Sequence, residues 1–273
     1  MRRWLLCCLT LAAACGGSSV TSVPITPIQP PVDSATFAGF DIKIYPGDAA
    51  LQAWKYPASP YRWIGYYLRS PCDRDVSYAG KRATIAALGW GIAAIYVGQQ
   101  DWANMSVAPT GATANVASQQ LAVCSASLLS SDQGTAEAKD AVAQMRAEGF
   151  PDGSTVFLDV EHVTTIGQSL LDYYRAWIAG VLADGHFKPA VYAARSNAST
   201  FYDQSIVDLH GTRYTPPFWI AGTGGFTTSS RPTDVGLSFA QLWQGLLDVK
   251  QTYNGVTLTI DADVSSKLSP SAP

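Results

Sequence analysis

Eight short β-rich runs fill the chain from residue 37 to residue 264, most of them separated by stretches of helical periodicity. The runs are 37–45, 62–68, 91–99, 154–161, 188–194, 217–223, 239–245 and 256–264. Helical patterns occupy 47–56, 77–89, 135–149, 167–185 and 198–211, with Gly89, Gly149 and Gly185 where a helix must stop. Strands that alternate with helices imply β-α-β units and a parallel sheet. The length from residue 37 to residue 273 is close to the ~250 residues typical of a (β/α)8 barrel. The rival is an open doubly wound sheet, which usually carries a glycine-rich nucleotide turn after its first strand. Here "YPGDAALQ" follows instead. The predicted fold is therefore α/β, a single-domain (β/α)8 TIM-like barrel over residues 37–273. Only the connections after the sixth and seventh runs lack a convincing helix.

Composition agrees with a large core, since 47% of residues are hydrophobic and only 14% charged. A formal net charge of −3 is not the basic footprint of a nucleic-acid binder, so no nucleic-acid partner is expected.

The first residues read as a targeting signal rather than part of the fold. Arg2 and Arg3 precede an apolar stretch, "WLLCCLTLAAA" at 4–14, shorter than the ~20 residues that span a bilayer. "LAAAC" followed by "GGSS" resembles a bacterial lipoprotein signal, with residues 1–15 ending at Cys15 as the lipidated position. The alternative is an ordinary secretory signal cut near Ala14 or Gly16. Either predicts export, and the lipid would hold the protein in the cell envelope, at a periplasmic face or the cell surface. Residues 16–36, "GGSSVTSVPITPIQPPVDSAT", have no apolar periodicity and read as an extended tether. In an exported protein the two remaining cysteines, Cys72 and Cys124, favour a disulfide over two buried thiols. No CxxC occurs and only three histidines are present, so no zinc site and no cofactor are expected.

The predicted active end of a barrel is the C-terminal end of its strands. Those ends carry Asp41, Tyr66, Tyr67, Gln99, Gln100, Asp159, Glu161, Tyr192, Trp219, Trp243, Gln244, Asp261 and Asp263. In "TVFLDVEHVTT" (155–165) the acids Asp159 and Glu161 are two apart and share a face of their strand. No Lys or Arg on that strand neutralises them, and mutual repulsion raises the pKa of at least one. A carboxyl kept protonated beside one kept ionised suits glycosidic bond cleavage. Each residue has a plainer reading. Asp41 alone would be a helix cap, the D-x-E pair could hold Mg or Ca, and the aromatic residues could fill the core. Gathered at one rim, they read better as a sugar site.

"GFDI", "YRWIGYYLRSPC", "GWGIAAIYVGQQ" and "GSTVFLDVEH" resemble the glycoside-hydrolase-like domain-of-unknown-function family 1906, over roughly residues 38–265. That family is distantly similar to the family 25 glycoside hydrolases, lysozymes that cleave peptidoglycan. The resemblance implies a barrel and a peptidoglycan or other cell-wall polysaccharide partner. It also implies that Glu161 is the general acid, that Asp159 stabilises the charged intermediate and that Asp41 lines the site. Asp261 or Asp263 matches the last acid, and the choice between them stays open. The leading expectation is an envelope-anchored glycoside hydrolase. The alternatives are a non-catalytic glycan-binding lipoprotein on the same barrel and a metal-dependent hydrolase using the same acids.

Overall fold

The computed structural model describes residues 35–101, 123–160, 163–204, 207–209 and 212–273, with no account of the side chains of residues 205–213. Cys15, the predicted signal and all but the end of the predicted tether lie outside the described residues, as does Glu161. In chain order the elements are β1 (Phe37–Asp41), α1 (Asp48–Trp54), β2 (Trp63–Leu68), α2 (Arg82–Ala87), β3 (Gly91–Val97), α3 (Ser131–Ala147), β4 (Thr155–Val160) and α4 (Gln168–Asp184). They continue with β5 (Lys188–Ala194), α5 (Arg195–Gln204), β6 (Val207–Leu209), β7 (Thr212–Tyr214), β8 (Phe218–Ala221), β9 (Ala240–Tyr253) and β10 (Val256–Ser265). Eight strands close into a barrel in the order β1-β10-β9-β8-β5-β4-β3-β2, and β6 and β7 form a separate hairpin.

The barrel departs from the all-parallel expectation at one strand. β10 runs antiparallel to both of its neighbours, β1 and β9. The cause is local. β9 and β10 are joined by Asn254 and Gly255 alone, at φ 48° and 78°, the geometry of a tight Asn-Gly hairpin turn. A parallel neighbour would need a crossover of a dozen or more residues. β9 also runs well past the predicted 239–245. The predicted helix at 198–211 is α5 ending at Gln204 followed by the β6–β7 hairpin. α3 begins four residues earlier than predicted because the Ser130 side chain caps it, accepting from the Gln133 amide at 3.1 Å. The predicted disulfide joins Cys72 to Cys124 with Cα atoms 5.0 Å apart.

Side chains alternate along each strand, so one set faces the helices and the other fills the barrel. Phe40, Ile64, Tyr66, Tyr96, Leu158, Val191, Phe218 and Trp243 belong to the outer core under the helices. The interior set is Trp63, Ala93, Ile95, Phe157, Ala190, Trp219 and Leu242, with Phe37, Tyr67, Val97 and Tyr192 packed on it. The middle of the barrel is solid. Trp219 meets Trp63, Phe157 and Tyr192 edge-on, with ring centroids 5.4, 5.7 and 5.4 Å away. Gly39 makes room for this layer, since a Cβ there would lie 2.0 Å from the Trp63 indole. Polar side chains gather above the layer, at the end where β1 to β5 finish.

The β9–β10 hairpin projects beyond that end. Its register shifts between Ile260 and Asp263, and Asp248 on the bulged strand has φ 52°. A bulge bends a strand, and the far end of the hairpin packs outside the barrel on α1. Asn254 donates to the Ala53 carbonyl at 2.8 Å, and Trp54 donates to the Val256 carbonyl at 3.0 Å.

Candidate active site

Asp41 ends β1 and is directly opposite Asp261 on β10, while Asp263 is opposite Gly39 one layer deeper. Two like charges facing each other across a strand pair destabilise it. The sequence relieves this pair with an amide. Gln244 Nε2 donates to Asp41 Oδ2 at 2.7 Å and to Asp261 Oδ2 at 3.3 Å. The amide is oriented by Tyr192, whose hydroxyl donates to Gln244 Oε1 at 2.6 Å. Asp41 takes a second donor from the Tyr67 hydroxyl at 2.6 Å. Asp261 takes the backbone N–H of Asp248 at the bulge, at 2.7 Å. The irregular hairpin thereby supplies a donor that a regular ladder would have spent on pairing.

Asp263 is fully buried and accepts from Trp219 Nε1 at 3.0 Å. As an anion it would leave Oδ2 a buried acceptor with no donor, which costs free energy. As a neutral acid it carries the proton that bonds to the Asp41 carboxyl. Burial first, then the charges of Asp41 and Asp261, push the Asp263 carboxyl well above the usual range. Burial also raises Asp41, against the lowering effect of bonds from Tyr67, Gln244 and Asp263. No ion pair among the described residues involves either acid. Of the two acids Asp263 is pushed up further, so it is the one that keeps its proton to the higher pH. Tyr67 stays a neutral donor, because burial and the charges of Asp41 and Asp159 raise it well above a free phenol.

Asp159 is next to last on β4, two residues beyond the interior Phe157, and its influence on Tyr67 places it near the Asp41 group. The backbone there is pinned by Gln100, whose Nε2 donates to the Asp159 carbonyl at 3.0 Å and the Gly98 carbonyl at 3.1 Å. A cleft of about 370 Å³ opens above the acids, lined by Tyr192, Gln244, Asp261, Asp248, Leu247 and Thr223 among others. Asp41, Asp159 and Asp263 lie below it at 4%, 7% and 0% exposure.

The structure thus brings Asp41, Asp159, Tyr192, Trp219, Gln244, Asp261 and Asp263 together at one end of the barrel. Glu161 lies outside the described residues. Trp219 is under the acids rather than beside the cleft, so its indole supports Asp263 and offers no face to a sugar. Three predicted residues are elsewhere. Tyr66 points into the helix layer, where its hydroxyl bonds the Tyr78 carbonyl and Glu148. Trp243 also faces outward and donates to the Gly222 carbonyl at 2.7 Å. Gln99 is buried against α3, donating to Glu137 Oε1 at 2.6 Å and the Val123 carbonyl at 2.8 Å. Of the two tyrosines at the end of β2, Tyr67 and not Tyr66 reaches the site. A strand buried on both faces reads as a continuous apolar run, so "WIGYYL" does not say which tyrosine faces in. Gly65 was the available signal, because a Cβ there would lie 2.5 Å from Asp41 Cβ. Among the described residues no group of three or more His, Cys, Asp or Glu side chains is placed to hold a metal ion.

Solved structures of low identity share this fold. The catalytic domain of an endolysin from a Listeria monocytogenes bacteriophage aligns over 85% of this chain and 93% of its own, with 15% identity and a TM-score of 0.53. The Clostridium perfringens spore cortex lytic enzyme SleM aligns over 87% of this chain and 68% of its own, with 13% identity and a TM-score of 0.53. An uncharacterized B. stearothermophilus protein aligns over 84% of this chain and 95% of its own, with 15% identity and a TM-score of 0.50. At such identities the likeness is one of fold. No curated protein sequence matches this chain. A family model, that of the Rv2525c-like glycoside hydrolase-like domain, matches residues 52–265, which run from within α1 to the last residue of β10. The chain belongs to the Rv2525c-like glycoside hydrolase-like domain family.

Proposed function

We propose that the protein is an exported glycoside hydrolase that acts on peptidoglycan or another cell-envelope glycan, held at the envelope by a lipid on Cys15. The observation that carries this reading is the gathering of the buried carboxyls Asp41, Asp263 and Asp159 at one end of the barrel, where burial pushes Asp263 well above the usual range. The likeness in fold to a phage endolysin and a spore cortex lytic enzyme supports a wall glycan as substrate. In this reading Glu161 gives its proton to the leaving oxygen as the glycosidic C–O bond breaks. Asp159 stabilises the positive charge that develops on the sugar. Water then adds to the anomeric carbon and its proton returns to a carboxylate. Asp41, fixed by Tyr67 and Gln244, holds a constant negative charge beside the reacting centre, and Asp263 keeps that charge from doubling. The cleft at Tyr192 and Gln244 receives a sugar, the Tyr192 ring offering an apolar face and the Gln244 amide holding that tyrosine in place.

The test is incubation of the full chain with purified sacculi, followed by mass spectrometry of the soluble products. Muropeptides released by the wild type and not by Asp159→Asn support hydrolysis.

The depth of Asp41, Asp159 and Asp263 below the cleft favours a second reading, a non-catalytic glycan-binding lipoprotein. On that reading sacculi retain the protein without being dissolved, Asp159→Asn binds as the wild type does, and Tyr192→Ala binds more weakly. Equal retention of wild type and Tyr192→Ala would rule it out.

A further inference from the structure

Beside the acid site is a basic one that the hydrolytic chemistry does not use. Arg69 follows β2 directly and is two residues beyond Tyr67, the donor to Asp41. The chain then makes a tight turn, closed by the Ser70 N–H bonding the Asp73 carbonyl at 2.6 Å, with the Asp73 N–H bonding Ser70 Oγ at 3.1 Å. Arg69 and Arg74 flank this turn, so both cations leave the same loop at adjacent points. Both are exposed. Neither enters an ion pair among the described residues.

The two arginines line a cleft of about 400 Å³, whose other lining residues include Val123, Leu128, Gln133 and Asp140. Asp140, the one acid in that wall, already accepts from Tyr96 at 2.9 Å and Gln144 at 3.4 Å. The Cys72–Cys124 disulfide ties the arginine loop to the chain beside Val123, across the cleft from it. Two like charges on one loop, neither of them in an ion pair among the described residues, repel each other, and a ligand oxyanion would relieve that repulsion. The sugar cleft at β5, β8, β9 and β10 and this one at β2 and α3 are on different sides of the acids in the barrel order.

We propose that Arg69 and Arg74 bind a carboxylate carried as a side group by the glycan, while the acid-lined cleft takes its sugar. This rests on the reading of a wall glycan as substrate and names which part of that polymer the protein recognises. A planar guanidinium matches a carboxylate with two parallel hydrogen bonds. The preference is for the peptide-bearing strand of a wall polymer over a neutral one.

The test is calorimetric titration of the full chain with N-acetylglucosaminyl-N-acetylmuramyl tetrapeptide and with the same fragment after its carboxylates are converted to amides. The wild type should bind the carboxylate form ~10-fold more tightly, the scale of one or two charge-assisted contacts. Arg69→Gln/Arg74→Gln should bind both forms with the wild-type affinity for the amide. Salt should erode the wild-type preference, because exposed charges are screened. Equal binding of the two forms by the wild type, or an equal loss for both forms in the double variant, would overturn the inference and leave the glycan reading standing. Failure of the wild type to bind either form would instead remove the glycan reading, and this inference with it.

Discussion

Replacing Asp263 by Asn tests the shared proton directly. If Asp263 is protonated in the folded chain, the folded state binds one proton more than the unfolded state at any pH between the two pKa values. The unfolded value is ordinary, about 3.9, and the folded one is pushed well above it by burial. Stability from this group is therefore complete below the unfolded value and is lost as pH rises toward the folded one. The slope is about 1.4 kcal/mol lost per pH unit while Asp263 stays protonated. Asn carries the same hydrogen bonds without a proton to lose: its amide N–H can donate to Asp41 and its oxygen accept from Trp219. The variant should lack that slope. As pH rises above the unfolded value, its stability should therefore increase steadily relative to wild type, for as long as Asp263 keeps its proton in the folded chain. Urea unfolding of both proteins at several pH values measures the difference, and titrating groups that do not touch Asp263 cancel. Parallel stability curves would refute the assignment of the proton to Asp263. Asp263→Ala is the control. It strands the Trp219 N–H, and should destabilise at every pH.

Three further outcomes follow from the packing. Tyr67→Phe removes a donor from Asp41 and should cost about 1–3 kcal/mol. The loss should be larger at pH 8 than at pH 4 in the same unfolding assay, because only the ionised carboxyl needs the donor. Gly39→Ala forces a methyl into the Trp63 indole, 2.0 Å from the Cβ position, and should cost about 1–3 kcal/mol or more, seen as a lowered Tm. Cys72→Ser with Cys124→Ser opens a loop with a sequence separation of 52 and should cost about 4 kcal/mol on a chain-entropy basis, read as a lower urea midpoint.

Much of the barrel was legible because strand and helix periodicities differ and several helices end at glycines. The antiparallel last strand was legible too, in "YNGV" between two β-rich runs, but the count of eight runs suggested a repeating parallel unit. The missing helix after residue 245 was the sign that no crossover was made. Positions in the site followed from parity wherever polar residues marked one face. Asp41, Asp159, Gln244, Asp261 and Asp263 could be placed because a strand rarely buries an acid without a partner. Parity failed for Tyr66 and Trp243, whose strands bury apolar residues on both faces. It also could not foresee the Asp248 N–H, which reaches Asp261 only because a bulge turns the backbone. The roles of Trp219 and Tyr67 as supports beneath and beside the carboxyls depend on depth in the barrel, which no local pattern encodes.

Hydrolysis itself is tested most directly by counting reducing ends released from purified peptidoglycan by the wild-type chain, Glu161→Gln and Asp159→Asn, with folding verified for each. Release by the wild type is expected, with a loss of at least ~100-fold in the Glu161 variant, the scale of a missing general acid. Release that is undiminished in both variants, or its absence from a folded wild type on every wall polymer offered, would contradict it.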